Sequence, residues 1–417
     1  MADGEPEQKK RKTDVEQDFD PIFCSFLTKR NKVDALDQAL IALKRGIWDC
    51  QLNLASLHID DCNARSFVCF SRATLTTTPI QWEDDESPAQ GIAFGEIFGT
   101  GIDVLEKYLD KSPKIPEDEK MRHALQKLLE FLVKKDYQPL FENQERESDW
   151  SVVVAQHLLS VLTVDSTYTV SAAPFTQAGL PPKCPCQLKD DLIGKVGDTS
   201  FGCRKGWHGH TDIIMEEDIA VSVAPSEASG DSTVEQTLDD TGTDVSDDRS
   251  VSSVENKASP DFKRKDLMQI KAETIVFSFL QHKLKKGILE NTLIPSIGIS
   301  SRSLLLTFYD SQNDVLLSSK AIRLFDQNTI IVSPVVALWL TLNYKLFCTG
   351  VTKRMTKYKA DFFKRVDDLL NEYSDHVEKP SPVQRNTQDD LFPWLGLTRG
   401  YEFPKRRIPF VFLKPDR

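Results

Sequence analysis

The chain has 417 residues, is 40% hydrophobic and carries a net charge of −11. That length allows two or three domains, or one large domain with insertions; the acidic balance excludes a bulk polyanion binder, so nucleic-acid contact needs a local basic patch. No apolar run approaches the roughly 18 residues that span a bilayer, and the opening MADGEPEQKKRKTD has no secretory apolar stretch, so the 8 cysteines are expected to be reduced thiols of an intracellular protein with no membrane partner.

Residues 1–18 are polar and charged and predict a disordered tail. Within them Lys9, Lys10, Arg11 and Lys12 form a basic run of the nuclear-import kind, which tips the expected location from cytoplasm to nucleus. The same run also reads as a solvated tail. From Phe19 to Leu57 the chain reads as helical, with Leu36, Leu40, Leu43 and Ile47 near helical spacing and Asn31 or Asp34 as cap. Phe94 to Leu109 returns to that pattern. Glu117 to Lys135 is amphipathic, with Leu125, Leu128, Leu129 and Leu132 on one side. Asp149 to Leu162 is predicted as a further helix with Asp149 at its N-cap. The first third is therefore expected to be mainly α.

A short strand is expected at Tyr168 to Ala172, followed by a Gly-, Pro- and Cys-containing stretch. Cys184, Cys186, Cys203, His208 and His210 offer the thiolates and imidazoles of a tetrahedral zinc site, although the spacing is irregular. The alternative is a loop with incidental thiols. Next comes GWHGHTDIIMEEDIAVSV, which predicts a hairpin of strands Thr211 to Met215 and Ile219 to Val223, with Glu216, Glu217 and Asp218 at the bend. Here carboxylate, imidazole and glycine meet on strand-like sequence. Residues 226–260 are rich in Ser, Thr, Asp and Glu and predict a long disordered acidic insertion.

Lys263, Arg264 and Lys265 open a helix whose apolar stripe is Leu267, Ile270, Thr274, Phe277 and Leu280, with Gln269, Glu273 and Gln281 on flanking faces. Three apolar runs, LIPSIGIS, SLLLTFYDS and DVLLSSKAIRLF, predict a meander that turns near Ser311 to Asp314. VSPVVALWLTLNYKLFC reads as a buried helix capped by Ser333, and Lys357 to Tyr373 as an amphipathic one. This order predicts an α+β fold with an α/β-like core: a central mixed β-sheet flanked by helices. The expected divisions are a tail at 1–18, a helical region at 19–163 packed on the core, loop and hairpin at 164–225, the insertion at 226–260, the second half of the core at 261–376 and an extension at 377–417.

Gly209-His210-Thr211-Asp212, the strand Ile219 to Val223 and Gln269 on the following helix together resemble the PD-(D/E)XK nuclease superfamily, in particular its phage-exonuclease and recombination-helicase branch. The resemblance covers roughly residues 90 to 325. It implies a catalytic cluster of Asp212, Gln269 and an upstream helix residue, matched by His157 or less well by Glu96, with Asp212 as a Mg²⁺ ligand. It also implies an acid and a lysine two residues apart on the second strand. Neither Ala220/Ser222/Ala224 nor Val221/Val223 supplies them, and Glu273 stands where an aromatic partner of Gln269 is expected. The resemblance therefore implies a degenerate site in a binding module for nucleic acid or a protein partner; the basic run Lys263, Arg264 and Lys265 is the expected nucleic-acid contact and also reads as a solvated helix start. Two alternatives stand beside it. One is a regulatory interaction protein working through its acidic Ser-rich insertion, and the other is an active metal-dependent nuclease with unconventional ligands. Each residue also has a plainer role: Asp212 as a strand cap, His157 as a core histidine, Gln269 as a helix-surface residue and Trp207 as core. No Ser-His-Asp signature, P-loop or dinucleotide glycine motif is present.

Overall fold

A computed structural model describes residues 21–45, 52–81, 91–134, 137, 140, 147–172, 183–186, 188–224, 262–327 and 329–379. Lys9 to Lys12, the 226–260 insertion and residues 380–417 lie outside these. In chain order the elements are helices α1 (Pro21–Leu27) and α2 (Arg30–Arg45), then strands β1 (Asn53–Cys62), β2 (Val68–Cys69), β3 (Leu75–Pro79) and β4 (Ile92–Ala93). Helices α3 (Phe94–Ile97), α4 (Gly99–Leu109), α5 (Glu119–Val133) and α6 (Glu147–Val154) follow, the last continuing as a π-helical turn at Ala155–Leu159. Strands β5 (Tyr168–Ser171), β6 (Lys195–Gly197), β7 (Ser200–Gly202), β8 (Trp207–His210), β9 (Ile213–Met215) and β10 (Ile219–Val223) lead to the long helix α7 (Arg264–Leu284). The chain then forms β11 (Leu293–Ile299), β12 (Ser303–Asp310), β13 (Val315–Ser319) and the short β14 (Ile322–Arg323), β15 (Phe325–Asp326) and β16 (Thr329–Ile330). It ends in α8 (Val332–Leu342), α9 (Tyr344–Phe347), α10 (Phe362–Val366) and α11 (Leu370–Ser374).

The fold class is α+β. An 11-stranded sheet runs β3-β1-β13-β12-β11-β10-β9-β5-β6, with β14 on β12 and β4 on β1. Its pairs are antiparallel except β10 with β11 and β5 with β6. Parallel neighbours need a crossover, and α7 supplies it between β10 and β11. Both faces of the sheet are covered. Phe308 on β12 meets Phe94 and Phe98 of the N-terminal helices, with ring centroids 6.2 and 5.9 Å away. The next residue, Tyr309, faces the other way and meets Phe279 of α7 at 5.9 Å. Burial on both sides is why SLLLTFYD reads as a continuous apolar run rather than an alternating one. A separate three-stranded sheet, β2-β8-β7, packs against α7.

Several expectations need correction. The segment Asn53–Cys62 is a sheet strand, not the end of a helix; β1 lies between β3 and β13, with Leu54 opposite Ser319. Its Leu54, Leu57 and Ile59 are buried, and tertiary pairing overrides the helical spacing that its leucines share with α2. Lys357 to Tyr373 is not one helix. Asp361, in the left-handed α region (φ 65°) that aspartate tolerates better than most residues, and Asp367, also with positive φ (44°), break it into short turns. The N-cap of α8 is Ile331 rather than Ser333, and α6 begins at Glu147, before Asp149. The β11–β12–β13 meander and the β9–β10 hairpin form as expected, with Met215 opposite Ile219.

Candidate functional site

The first candidate site lies at the carboxyl end of β10, beside the amino-terminal half of α7. Open α/β sheets commonly bind ligands at this end of their parallel strands. The chain enters through Gly209, whose φ is +148° and where a Cβ would stand 2.9 Å from the Phe70 ring; glycine is the residue that fits. Thr211 then donates its hydroxyl to the Val221 carbonyl at 2.7 Å. Asp212 accepts the Val223 amide at 2.7 Å, and its own carbonyl accepts the Ser171 amide at 2.8 Å. The carboxylate thus bridges the start of β9 to the end of β10.

The strand β10 carries no acid, but one arrives from the helix. Glu273 of α7 is buried and accepts hydrogen bonds from the Ser222 hydroxyl and, at 2.8 Å, from the Gln269 amide. It is not on a solvent-flanking face of α7, and neither is Gln281, which is fully buried. Burial pushes the Glu273 carboxyl up to about 8, with nearby Asp212 adding to the effect while the Ser222 and Gln269 hydrogen bonds oppose it. Burial likewise raises Asp212 to about 6, against the Val223 amide bond. Two interacting carboxyl groups with displaced titration, held by the Val223 amide, Ser222 and Gln269, form a candidate chemical centre. Lys271, two residues before Glu273, turns to a different face and donates to the Thr77 hydroxyl at 2.8 Å; burial lowers it to about 8.

On α7, Lys265, Gln269 and Glu273 are spaced by four and share one face. That stripe passes from exposed Lys265 through half-buried Gln269 to buried Glu273 over about 12 Å of helix. Lys263 and Arg264, exposed beside it, complete a basic first turn, and the Asp266 carboxylate caps the turn at the Lys263 amide, 2.9 Å away.

His157 is not part of this centre. It stands on the π turn after α6, where its Nε2 lies 3.3 Å from both Cys184 Sγ and Cys186 Sγ. The three donor atoms lie within 4.8 Å of one another, and this group can hold a metal ion. π turns often occur at functional sites because the extra residue re-aims side chains. The expected zinc ligands thus divide. Cys184 and Cys186 join His157, while Cys203, His208 and His210 are not in the group. Cys203 is buried in the turn before β8, its amide bonded to the Trp207 carbonyl. His208 stacks on Phe67 at 4.1 Å and bonds the Gly206 carbonyl through Nδ1. His210 ends β8 opposite Ser200. Burial lowers both imidazoles. Trp207 is core, as expected.

Glu273 was the residue missed. Its local signal was an acid in the otherwise apolar run ETIVFSFL, together with a lone serine in IAVSV. No family model, curated protein or solved structure matches this chain. Among the described residues, no helix is long and apolar enough to cross a membrane.

Proposed function

We propose that this protein is a nuclease-like binding module that takes nucleic acid at the carboxyl end of β10 and does not cut it. The observation that carries this reading is the α7 stripe, a basic exposed turn that runs into the Asp212–Glu273 carboxyl centre. Phosphates would meet Lys263, Arg264 and Lys265, and the carboxyl centre would lie beneath. Cleavage needs a group that orients or activates water, and the nearby lysine, Lys271, is instead bonded to Thr77. The test incubates full-length protein with labelled single- and double-stranded DNA and RNA, with Mg²⁺ or Mn²⁺. Retarded but intact substrate is expected. Absence of any complex at low salt would remove the reading.

One observation favours a second reading, an active metal-dependent nuclease with unconventional ligands. Glu273 brings the second carboxylate that β10 lacks, so Asp212 is not the lone acid there. A divalent cation between them would reverse the burial effect on both groups. Cleavage by wild type that is lost in both Asp212→Ala and Glu273→Gln would put this reading first.

For the thiol–imidazole group the ion proposed is Zn²⁺. Tetrahedral zinc with ordinary Zn–S and Zn–N lengths places S and N about 3.6 Å apart, close to the 3.3 Å separations observed. Purified protein should carry one zinc per chain, and zinc-free folded protein would contradict this.

A further inference from the structure

The segment Lys183–Ile193 is held to the body in an unusual way. Two of its aliphatic side chains point outward, Leu188 at 58% and Ile193 at 65% exposed, and only Leu192 packs, partly buried, against the core. Its thiols point inward, with Cys184 1% and Cys186 0% exposed. Free cysteines are among the residues most often buried, and here the two thiols are the most deeply buried side chains of the segment. Within the segment the Cys184 amide bonds the Asp190 carbonyl at 2.9 Å and the Lys189 amide bonds the Cys186 carbonyl at 3.0 Å. These close a small loop that presents both sulfurs to one side. The Lys183–Asp191 ion pair, 3.9 Å long between highly exposed side chains, adds little.

Two neighbouring residues of the π turn meet this loop. Gln156 donates to the Asp191 carbonyl at 3.3 Å, and its Oε1 accepts the Ile193 amide at 3.2 Å and the Tyr168 hydroxyl. His157 faces the two sulfurs. Immediately beyond, Gly194 lies under the Tyr168 ring, where a Cβ would stand 2.4 Å from ring carbons. The chain then enters β6, which pairs with β5, and β5 pairs with β9 and gives the Ser171 amide to Asp212. The β6–β5 edge, which lies beside β9 and Asp212, is thus reached from the thiol loop through Gln156, Tyr168 and Gly194.

Resting on the zinc reading above, we propose that Zn²⁺ on His157 Nε2, Cys184 Sγ and Cys186 Sγ is a clasp. It pins residues 183–193 to the π turn and thereby orders the β6–β5 edge next to Asp212. Zinc is bound by thiolates and neutral imidazole, so its binding displaces two thiol protons and adds a third tie at Cys184 and Cys186 to those made by Gln156 and Leu192.

The experiment uses the full-length protein and reads two quantities. The first is zinc content by elemental analysis. Wild type and Cys203→Ser should each carry one zinc, whereas His157→Ala and Cys184→Ser should lose it. The second is amide hydrogen exchange of wild type before and after a strong zinc chelator, and again after ZnSO₄ is restored. Chelation should strip protection from residues 183–197 and 168–171, leave β11 and β12 protected, and be reversed by zinc. Because it is made on wild type, this second measurement stands even if a variant fails to fold. Zinc absent from folded wild type, or a Cys184–Cys186 disulfide in its place, overturns the zinc reading and the clasp together. Zinc that is present, removable and without effect on exchange at 168–171 and 183–197 overturns the clasp alone.

Discussion

Glu273 is an acid that the fold holds in its neutral form at pH 7. Burial moves its carboxyl from 4.5 to about 8. A carboxyl raised in the folded state favours folding when protonated, so its contribution is complete below about 4.5 and is lost as pH climbs through 8. Asp212, moved from 3.8 to about 6, acts in the same direction over the lower part of that window. Raising pH from 5 to 9 should therefore lower the melting temperature. The full Glu273 displacement is worth roughly 5 kcal/mol at most if nothing relaxes. Glu273→Gln, which keeps the shape and removes the charge, should flatten the upper part of the profile. A variant whose profile still falls as steeply as wild type would show that other groups set the pH dependence. Sequence alone could not reveal this residue's partner, because Ser222 is 51 positions away and the intervening chain includes the acidic insertion. The same holds for His157, whose sulfur partners lie 27 and 29 residues downstream. Asp212 drew attention in the sequence because glycine, histidine, threonine and aspartate follow one another at 209–212.

At the scale of elements, α8 is tied to the end of the π-turn segment through one side chain. Asn343, buried just past α8, donates to the Leu162 carbonyl at 2.9 Å and the Trp339 carbonyl at 2.8 Å, and accepts the Val164 amide at 3.3 Å. Asn343→Ala takes this partner from the Leu162 carbonyl and the Val164 amide, while the Trp339 carbonyl keeps the Asn343 backbone amide at 3.1 Å. The expected cost is roughly 1–3 kcal/mol in chemical denaturation. A change below a few tenths would mean that water replaces the amide. The helices α5 and α7 and the meander β11–β13 were legible because caps, periodicity and turn residues agree there; Asp118, for example, accepts the Met121 amide at the start of α5. The strand β1 was not, because its leucines continue the spacing of α2 and only pairing with β13 and β3 decides between helix and strand. The break of 357–373 was hidden for a related reason. Two aspartates with positive φ stand at the start and the end of α10, and nothing in their neighbours announces it.

The whole molecule is acidic, with a net charge of −11, yet the first turn of α7 presents three adjacent exposed cations. An acidic body repels a polyanion at long range, and salt screens that repulsion together with the local attraction. Binding, if it depends on this turn, must therefore show a shallow salt dependence set by few contacts. The sheet that supports the turn is continuous from β3 to β6, so the carboxyl centre and the thiol–imidazole group sit on one framework. The most direct test measures the affinity of the full-length protein for a labelled oligonucleotide across a salt series, comparing wild type with the triple variant Lys263→Ala, Arg264→Ala, Lys265→Ala. The log–log slope should be about −2 to −3 for wild type and should lose about one per basic side chain removed. Equal slopes and affinities for the two proteins, or no binding by wild type at low salt, would contradict a nucleic-acid site at the start of α7.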